Sequence, residues 1–377
     1  MRIGLICPYN YFRPGGVQSI IRELAIDLEK RGHYVRVIAP KPRVMPEQVP
    51  ANTILIGGSA ELNTPFATKS DVGISVSNEK LDAMLEEHNF DVLHFHEPGV
   101  PVIGVQLLSR SKVANVATMH ATFPEDMLSK SYQKLMKPVA RYMNTHMHAL
   151  TAVSSVAEAT AHIYVPTAEI TVIPNGIRLA DYVPTKKVKR TAPKKILYVG
   201  RLEKRKGVKH LLKAYAHLRQ NHDDVELIIA GNGDLRTSLE AYITKFNVPD
   251  VSFRGWVTED EKVELLQTAD VYCSPALYGE SFGIVLLEAM AAGAVTVAGN
   301  NPGYASVMMG RGRLSLVGPE QTVDFSQRLE LMLYDQELRK LWLDWAQNYV
   351  KQFDYQHVVD QYEAIYKQAI KKHKAVA

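Results

Sequence analysis

Glu280 and Glu288 bracket the start of an apolar stretch, in the run Gly279-Glu280-Ser281-Phe282-Gly283-Ile284-Val285-Leu286-Leu287-Glu288-Ala289-Met290. The run reads as a loop passing into a helix, with Glu280 ahead of the helix and Glu288 two turns inside it. Two turns return a side chain to nearly the same face, so both carboxylates can serve one ligand lying along the helix start. Ser281 is a capping residue type, and Phe282-Gly283 leaves the first helical amides open to an anion. The competing reading is a surface acid and a partly buried helical glutamate with no shared ligand.

Gly200-Arg201-Leu202-Glu203-Lys204-Arg205-Lys206-Gly207 places four cations behind another apolar run. Such a loop suits a diphosphate whose charge is neutralised without a metal. Arg201 can fork onto two phosphate oxygens, and Lys206 can act as a point charge. A solvated basic loop is the alternative. Pro14-Gly15-Gly16-Val17 is a third anion-site candidate: paired glycines let backbone approach a ligand closely, and a helix follows them. An ordinary tight turn explains the same residues. A dinucleotide fold would add a fuller glycine fingerprint and an acid ending the second strand, but that strand ends Ile38-Ala39-Pro40-Lys41. This pattern disfavours a nicotinamide enzyme.

His120 closes the run Val116-Ala117-Thr118-Met119, while His94 and His96, two apart on one strand, share a face. Glu97 is the only further metal-ligand type nearby, so cleft lining or structural packing competes with a metal site and no metal is expected. Lys130, Lys134, Lys137 and Arg141 recur at helical spacing beside Leu135, Met136, Val139 and Met143. That stripe can lie on anionic lipid or face water, and Pro138 breaks or kinks it.

Strand-like runs alternating with helical periods position these residues. In the first half the strands read as Ile3–Cys7, Tyr34–Ala39, Asp91–Phe95, Val113–Met119, Leu150–Val153 and Glu169–Ile173, with a helix over Val17–Lys30. A Lys- and Pro-rich stretch, Pro184 to Lys195, reads as a linker. Then Lys195–Gly200, Glu226–Ala230, Val251–Phe253, Val271–Ser274 and Val295–Ala298 repeat the pattern, with a helix over Val208–Leu218. Alternation of this kind means α/β architecture with parallel sheets covered on both faces, here two doubly wound domains and a cleft between them. Ligands of such sheets bind at the carboxyl ends of the strands, where the motifs fall in both halves.

The chain has 377 residues, room for two domains, with 46% hydrophobic and 22% charged residues as in soluble globular proteins. A formal charge of +4 does not argue for nucleic acid. Two lone cysteines, Cys7 and Cys273, fit a reduced, cytoplasmic chain. The apolar start is stopped by Pro8 and is too short for a secretory signal. The apolar run Phe282 to Gly299 contains Glu288 and three glycines. It reads as buried helix, turn and strand, so membrane contact is expected to be peripheral, on the inner face of the plasma membrane.

Together these motifs resemble the retaining GT-B glycosyltransferases of family four, and most of all the bacterial phosphatidylinositol mannosyltransferases. The residues that carry the resemblance are Cys7-Pro8-Tyr9, Pro14-Gly15-Gly16-Val17-Gln18-Ser19, Asp91-Val92-Leu93-His94-Phe95-His96-Glu97-Pro98, Ile173-Pro174-Asn175-Gly176, and Ala269 to Cys273 through Ala289 to Gly293. It implies a GT-B fold of two Rossmann-like domains: 1–178 on the acceptor side, with a last helix of about 354–377 crossing back, and 194–353 binding the donor. In its terms Glu280 holds the donor sugar's hydroxyls near the anomeric carbon, and Glu288 binds the nucleotide ribose. Arg201 and Lys206 hold the diphosphate, with Gly15 and Gly16 approaching from the other domain. Val257 and Lys262 line the base pocket, Ser281, Phe282 and Gly283 lead to the helix-start amides of Ile284 and Val285, and His120 touches the sugar's primary hydroxyl. Tyr9, Gln18, His94 and His96 fall on the acceptor side.

The implied reaction moves a hexose, mannose from GDP-mannose, to a lipid-linked acceptor resembling phosphatidylinositol, with no cofactor required. A UDP-sugar donor with a soluble or other glycolipid acceptor is the alternative. A GT-B-fold nucleotide-sugar epimerase and a nucleotide-sugar-binding regulator are rivals from other classes, the intact glutamate pair arguing against the regulator. Three segments depart from the mannosyltransferase pattern. An acid before the glycine pair is replaced by Asn10-Tyr11-Phe12-Arg13. The basic loop after His120 reads Ala121-Thr122-Phe123-Pro124-Glu125-Asp126. The polybasic acceptor stretch becomes Ser77-Asn78-Glu79-Lys80 with Glu86-Glu87. Carboxylates repel a lipid phosphate, so the likeness is closer on the donor side than on the acceptor side.

Overall fold

The structure is a computed structural model that describes the chain except for residues 14, 64–68, 75, 101, 123–129, 185–191 and 377. Only the backbone is described for residues 62–63, 69–71, 130–133, 135 and 376. Pro14, Phe123 to Asp126, the middle of the expected linker and the Lys130 side chain therefore lie outside the described residues. The chain divides into two compact units, Met1–Gly176 together with Tyr355–Ala377, and Ile177–Asp354.

Among the described residues, the first unit is built on a seven-stranded, all-parallel sheet. Its strands are β1 (Arg2–Ile6), β2 (Tyr34–Pro40), β3 (Thr53–Ile56), β6 (Val92–His96), β7 (Ala114–Met119), β8 (Ala149–Ala152) and β9 (Ile170–Val172). The antiparallel hairpin β4 (Ser59–Asn63) and β5 (Lys69–Gly73) is a separate two-stranded sheet, joined to the segment after β1 by a bridge between Tyr9 and Val72. Spatial order is β3-β2-β1-β6-β7-β8-β9, so the winding reverses between β1 and β6. Strands buried on both faces need near-continuous apolar runs. Val92-Leu93-His94-Phe95-His96 is buried at every position, histidines included. The helix Gly16–Lys30 buries Ile20, Ile21, Leu24, Ala25 and Leu28. Onto the same core the last helix, Tyr355–Val376, sets Val358, Val359, Tyr362, Ile365, Tyr366 and Ala369. Each valine, leucine or isoleucine among them contributes about 1.5–3 kcal/mol if fully buried. Arg31 and His33 then pair with Asp360 and Glu363 on that helix. The end of the chain is thus core material of the first unit.

The second unit repeats the plan with β10 (Lys194–Val199), β11 (Val225–Ala230), β12 (Val251–Gly255), β13 (Val271–Ser274), β14 (Val295–Gly299) and β15 (Leu316–Val317). All are parallel, in the order β12-β11-β10-β13-β14-β15, with the reversal between β10 and β13. The helix Val208–Leu218 turns Leu211, Leu212, Ala214 and Tyr215 inward. The helix Glu259–Thr268 opens on a capping box in which Thr258 and Glu261 satisfy each other's backbone amides. The short helix Leu179–Tyr182 belongs to this unit, ahead of the expected linker. Tyr182 ties it down by bonding to Glu288 and by accepting from Gln267. Among the described residues no helix is long and apolar enough to cross a membrane.

Candidate functional site

In the second unit the loops leaving β10 and β13 meet at the point where the strand order reverses, the place where doubly wound sheets bind ligands. They are bonded directly, the Leu277 amide donating to the Arg205 carbonyl at 2.8 Å. This contact carries Glu280 onto the basic loop. Glu280 Oε1 accepts from Lys206 Nζ at 2.7 Å and from Arg205 Nη1 at 2.8 Å. Arg205 also donates to Glu203 Oε2 at 3.1 Å and to the Gly279 carbonyl at 3.3 Å. Arg201 instead reaches Glu203 Oε1, at 2.7 Å, and its side chain is half exposed.

The helix after Glu280 runs Ile284–Ala291, so Glu288 lies about one turn inside it rather than two. Its N-cap is Gly283, at φ +111°, and Ser281 is not the cap. Only glycine adopts that backbone readily, and a Cβ there would stand 2.7 Å from the Tyr304 ring. The helix-start amides of Ile284 and Val285 have no intrahelical acceptor, as at any helix start. Glu288 is buried, and its Oε1 accepts from Tyr182 Oη at 2.9 Å and Lys262 Nζ at 3.0 Å. Burial works against the Lys262 ammonium, yet Glu288 and Glu259 together raise its pKa above the ordinary lysine value. In both glutamates the donors crowd Oε1, and among the described residues Oε2 is left for a ligand. Val257 is half-buried beside an exposed Trp256, ahead of the Thr258 cap.

Gly303 holds this arrangement from behind: a Cβ there would lie 1.9 Å from the Glu280 carbonyl oxygen. Backbone cannot give way as a flexible side chain can. Gly303→Ala is therefore expected to cost about 1–3 kcal/mol of stability, as overpacking does. Displacing Glu280 should also lower kcat about tenfold. Thermal melts beside steady-state rates check this, and a fully active Gly303→Ala protein would show that the position of the Glu280 backbone is not critical.

In the first unit the carboxyl ends of β1, β6 and β7 gather Tyr9, Glu97 and His120 near the other reversal point. His96 Nδ1 and His120 Nε2 share a hydrogen bond at 2.9 Å, and the rings of His94 and His96 lie 4.1 Å apart. His94 bonds to Tyr366 Oη at 2.8 Å and to Thr118 Oγ1 at 2.6 Å. Glu97 has the left-handed φ of +48°, and its carboxylate accepts from the His120 and Ala121 amides. Burial raises the Glu97 pKa to about 7 against those two bonds, and it raises that of Tyr9, with Glu97 adding to the shift. Burial lowers His94 and His120 to about 3 and His96 well below its ordinary value. A Cβ on Gly16 would meet nothing within 4 Å, so the fold itself does not demand glycine there. Gln18 donates to the Asn10 carbonyl, bracing the loop. The helix Lys130–His146 continues through Pro138, with Lys134, Lys137 and Arg141 exposed. Among the described residues no group of three or more His, Cys, Asp or Glu side chains could hold a metal.

These shifts carry a pH dependence. His94, His96 and His120 have depressed pKa values, so their stabilising effect is present above the unfolded value of 6.5 and is lost as pH falls below it, toward about 3 for His94 and His120. Glu97 has a raised pKa and acts oppositely, its contribution being lost as pH rises from 4.5 to about 7. Three groups that the unfolded chain protonates outweigh one that the folded chain protonates. The first unit should therefore lose stability between pH 6.5 and 5. Melting curves over that range test this, and His94→Gln should flatten the slope.

Residues outside the sequence-derived site also build it. Arg205 and Glu203 orient Glu280 and Arg201, Tyr182 shares Glu288, and Tyr366 anchors His94. The clustered charges of the basic loop hinted at Arg205, but nothing in the spacing pointed to Tyr182 or Tyr366.

Two sheets wound in Rossmann order, each gathering polar residues at its reversal point, define the GT-B class of glycosyltransferase. Sucrose-phosphate synthase from Thermosynechococcus elongatus superposes with a TM-score of 0.77 at 20% identity, covering 97% of this chain and 98% of that one. Anabaena HepE in complex with UDP gives a TM-score of 0.76 at 18% identity, covering 97% and 99%. Residues 183–348 match the family "Glycosyl transferases group 1" and residues 14–181 match "Glycosyltransferase Family 4". The chain belongs to these group 1, family 4 glycosyltransferases. It is 31% identical to the phosphatidyl-myo-inositol mannosyltransferase of Mycobacterium tuberculosis over 377 residues, 97% of this chain and 96% of that protein. With the Mycobacterium leprae protein of the same name the identity is 32% over 379 residues, again 97% and 96%.

Proposed function

We propose that this glycosyltransferase moves a hexose with retention, mannose from GDP-mannose, to a lipid-linked acceptor resembling phosphatidylinositol. The observation that carries the donor side is the junction of Arg201, Lys206 and Glu280 with an open helix start. The bond from the sugar's anomeric carbon to the diphosphate breaks, a bond from the acceptor hydroxyl oxygen to that carbon forms, and the hydroxyl proton passes to the departing diphosphate. Lys206, Arg201 and the amides of Ile284 and Val285 stabilise the departing charge. An ammonium has three donors, so Lys206 can keep Glu280 while reaching a phosphate oxygen. Glu280 Oε2 then orients sugar hydroxyls, Glu288 Oε2 meets the ribose, and His120 meets an oxygen of the sugar. Val257 and Lys262 flank the base. Gly15 and Gly16 leave room for the diphosphate, and Tyr9 and Gln18 stand on the acceptor side.

Full-length similarity to the mannosyltransferases supports mannose and a lipid acceptor. A donor screen decides the first point: GDP-mannose, GDP-glucose and UDP-glucose are compared by thermal shift, then by transfer to phosphatidylinositol with NMR of the anomeric product. Stabilisation and transfer with UDP-glucose alone would overturn the GDP-mannose assignment.

The acceptor rests on the basic face of the helix Lys130–His146. Each cation near an anionic surface is worth about 1 kcal/mol, enough for reversible peripheral attachment at the inner face of the plasma membrane. Wild type is expected to pellet with anionic vesicles at low salt, and a Lys130/Lys134/Lys137→Glu variant is not. A soluble acceptor is the second reading, favoured by Glu86 and Glu87, both exposed on the helix Asn78–His88. Equal pelleting of the two proteins, or none by either, would decide for it.

A further inference from the structure

We infer that His96 is a positioning residue that holds His120 as the Nδ1–H tautomer, so that His120 meets its ligand as a hydrogen-bond donor. The inference begins one ring behind, where every proton can be placed. Thr151 Oγ1 donates to the Ala117 carbonyl, which can only accept. The Thr118–Thr151 bond of 2.6 Å then runs from Thr118 to Thr151, and the Tyr362 hydroxyl, 3.4 Å from Thr118 Oγ1, is left to donate. Thr118, its proton committed, accepts from His94 Nε2 at 2.6 Å. His94 is thereby the Nε2–H tautomer, and its Nδ1 accepts from the Tyr366 hydroxyl. Both of its nitrogens are satisfied, and its neutral ring packs on His96.

The next pair is left open. His96 Nδ1 and His120 Nε2 share one proton, while His96 Nε2 and His120 Nδ1 are buried without a partner among the described residues. Two neutral arrangements are possible. If His120 donates to His96, an N–H is stranded on His96 Nε2, in a side chain 1% exposed. If His96 donates to His120, the stranded N–H sits on His120 Nδ1, and only a bare lone pair remains on His96. A buried unpaired donor is costlier than an under-used acceptor. His120, at 5% exposed and on the last turn out of β7, is the ring a ligand reaches first. The second arrangement is therefore the one a ligand oxygen can complete. Glu97 supports it by gripping the His120 backbone amide and not its ring.

The ligand's identity here rests on the proposed reading, in which His120 meets a sugar oxygen, but the tautomer does not. Long-range 1H–15N correlation spectra of the histidine-labelled full chain should show His120 as Nδ1–H and His94 as Nε2–H. His96→Asn, whose amide occupies the Nδ1 position, should keep the His120 tautomer. His96→Leu should shift it to Nε2–H or to a mixture. With GDP-mannose as the probe, His96→Leu should lower kcat about tenfold at unchanged KM, the size of one lost hydrogen bond, and His96→Asn should restore it. An Nε2–H His120 in the wild type, or a spectrum unaltered by His96→Leu, would overturn the inference. The predicted spectra with no GDP-mannose turnover in wild type would leave it standing and remove only the donor assignment.

Discussion

Glu280→Gln is expected to lower kcat by about 10²–10³ while nucleoside diphosphate affinity stays level or rises. The rate term comes from losing one charged group fixed beside the point where the sugar parts from its leaving group. The affinity term has the opposite sign because the carboxylate also neutralises Lys206 and Arg205 through a single oxygen. Glutamine keeps the shape and removes the counter-charge, so Lys206 turns its full charge on an incoming diphosphate while Arg205 stays paired with Glu203 alone. Alanine would be the poorer probe, since it also takes the carboxylate from the partly buried Lys206 ammonium and leaves Arg205 only Glu203 and the Gly279 carbonyl, at a cost in stability. Steady-state transfer assays, calorimetry with GDP and a thermal melt separate the three effects. Turnover at the wild-type rate would sink the assignment of Glu280 to the reacting centre, whatever the binding data show.

Local pattern located most elements of both sheets. The strand Val271–Ser274 and the helix Val208–Leu218 coincide with their sequence-derived bounds because abrupt changes in residue type mark their ends. Thr53–Ile56 and Leu316–Val317 escaped notice: both lie at the edges of their sheets, and the second has only two residues. The start of the helix before Glu288 was misplaced for a different reason. Ser281 has the chemistry of a cap, but the φ of +111° at Gly283 starts the helix there. The need for glycine there is compounded by Tyr304, whose ring a Cβ would meet and which no local pattern reveals.

The residue types of the candidate site were legible, but their partners were not. Spacing singled out Glu280 and Lys206 separately, and their bond joins residues 74 apart. His94 and His96 read as two neighbours on a strand face, whereas the proton order around them depends on Tyr366, 272 residues from His94. Glu97 entered only as a possible metal ligand. Its left-handed φ and its grip on two amides follow from the way the ends of β6 and β7 meet. Short-range chemistry names candidates, and the topology of the parallel sheet decides which of them touch.

The same loop geometry separates two cations that the sequence treats alike. Lys206→Ala is expected to weaken GDP binding by about 2–3 kcal/mol, the range for a charge-assisted bond. Its ammonium is largely shielded from solvent and already committed to Glu280 at 2.7 Å, so little ordering remains to be done when a diphosphate arrives. Arg201→Ala should cost less, about 1 kcal/mol, because its side chain is 47% exposed and must leave Glu203 before forking onto phosphate. Calorimetry at two ionic strengths distinguishes them, since the exposed Arg201 contribution should fade with salt and the Lys206 contribution should persist. Unchanged affinity in both variants would reduce the basic loop to a solvated face and move the diphosphate site elsewhere in the second unit. Equal losses would mean that Arg201 swings fully onto the ligand, and that its bond to Glu203 holds only in the empty protein.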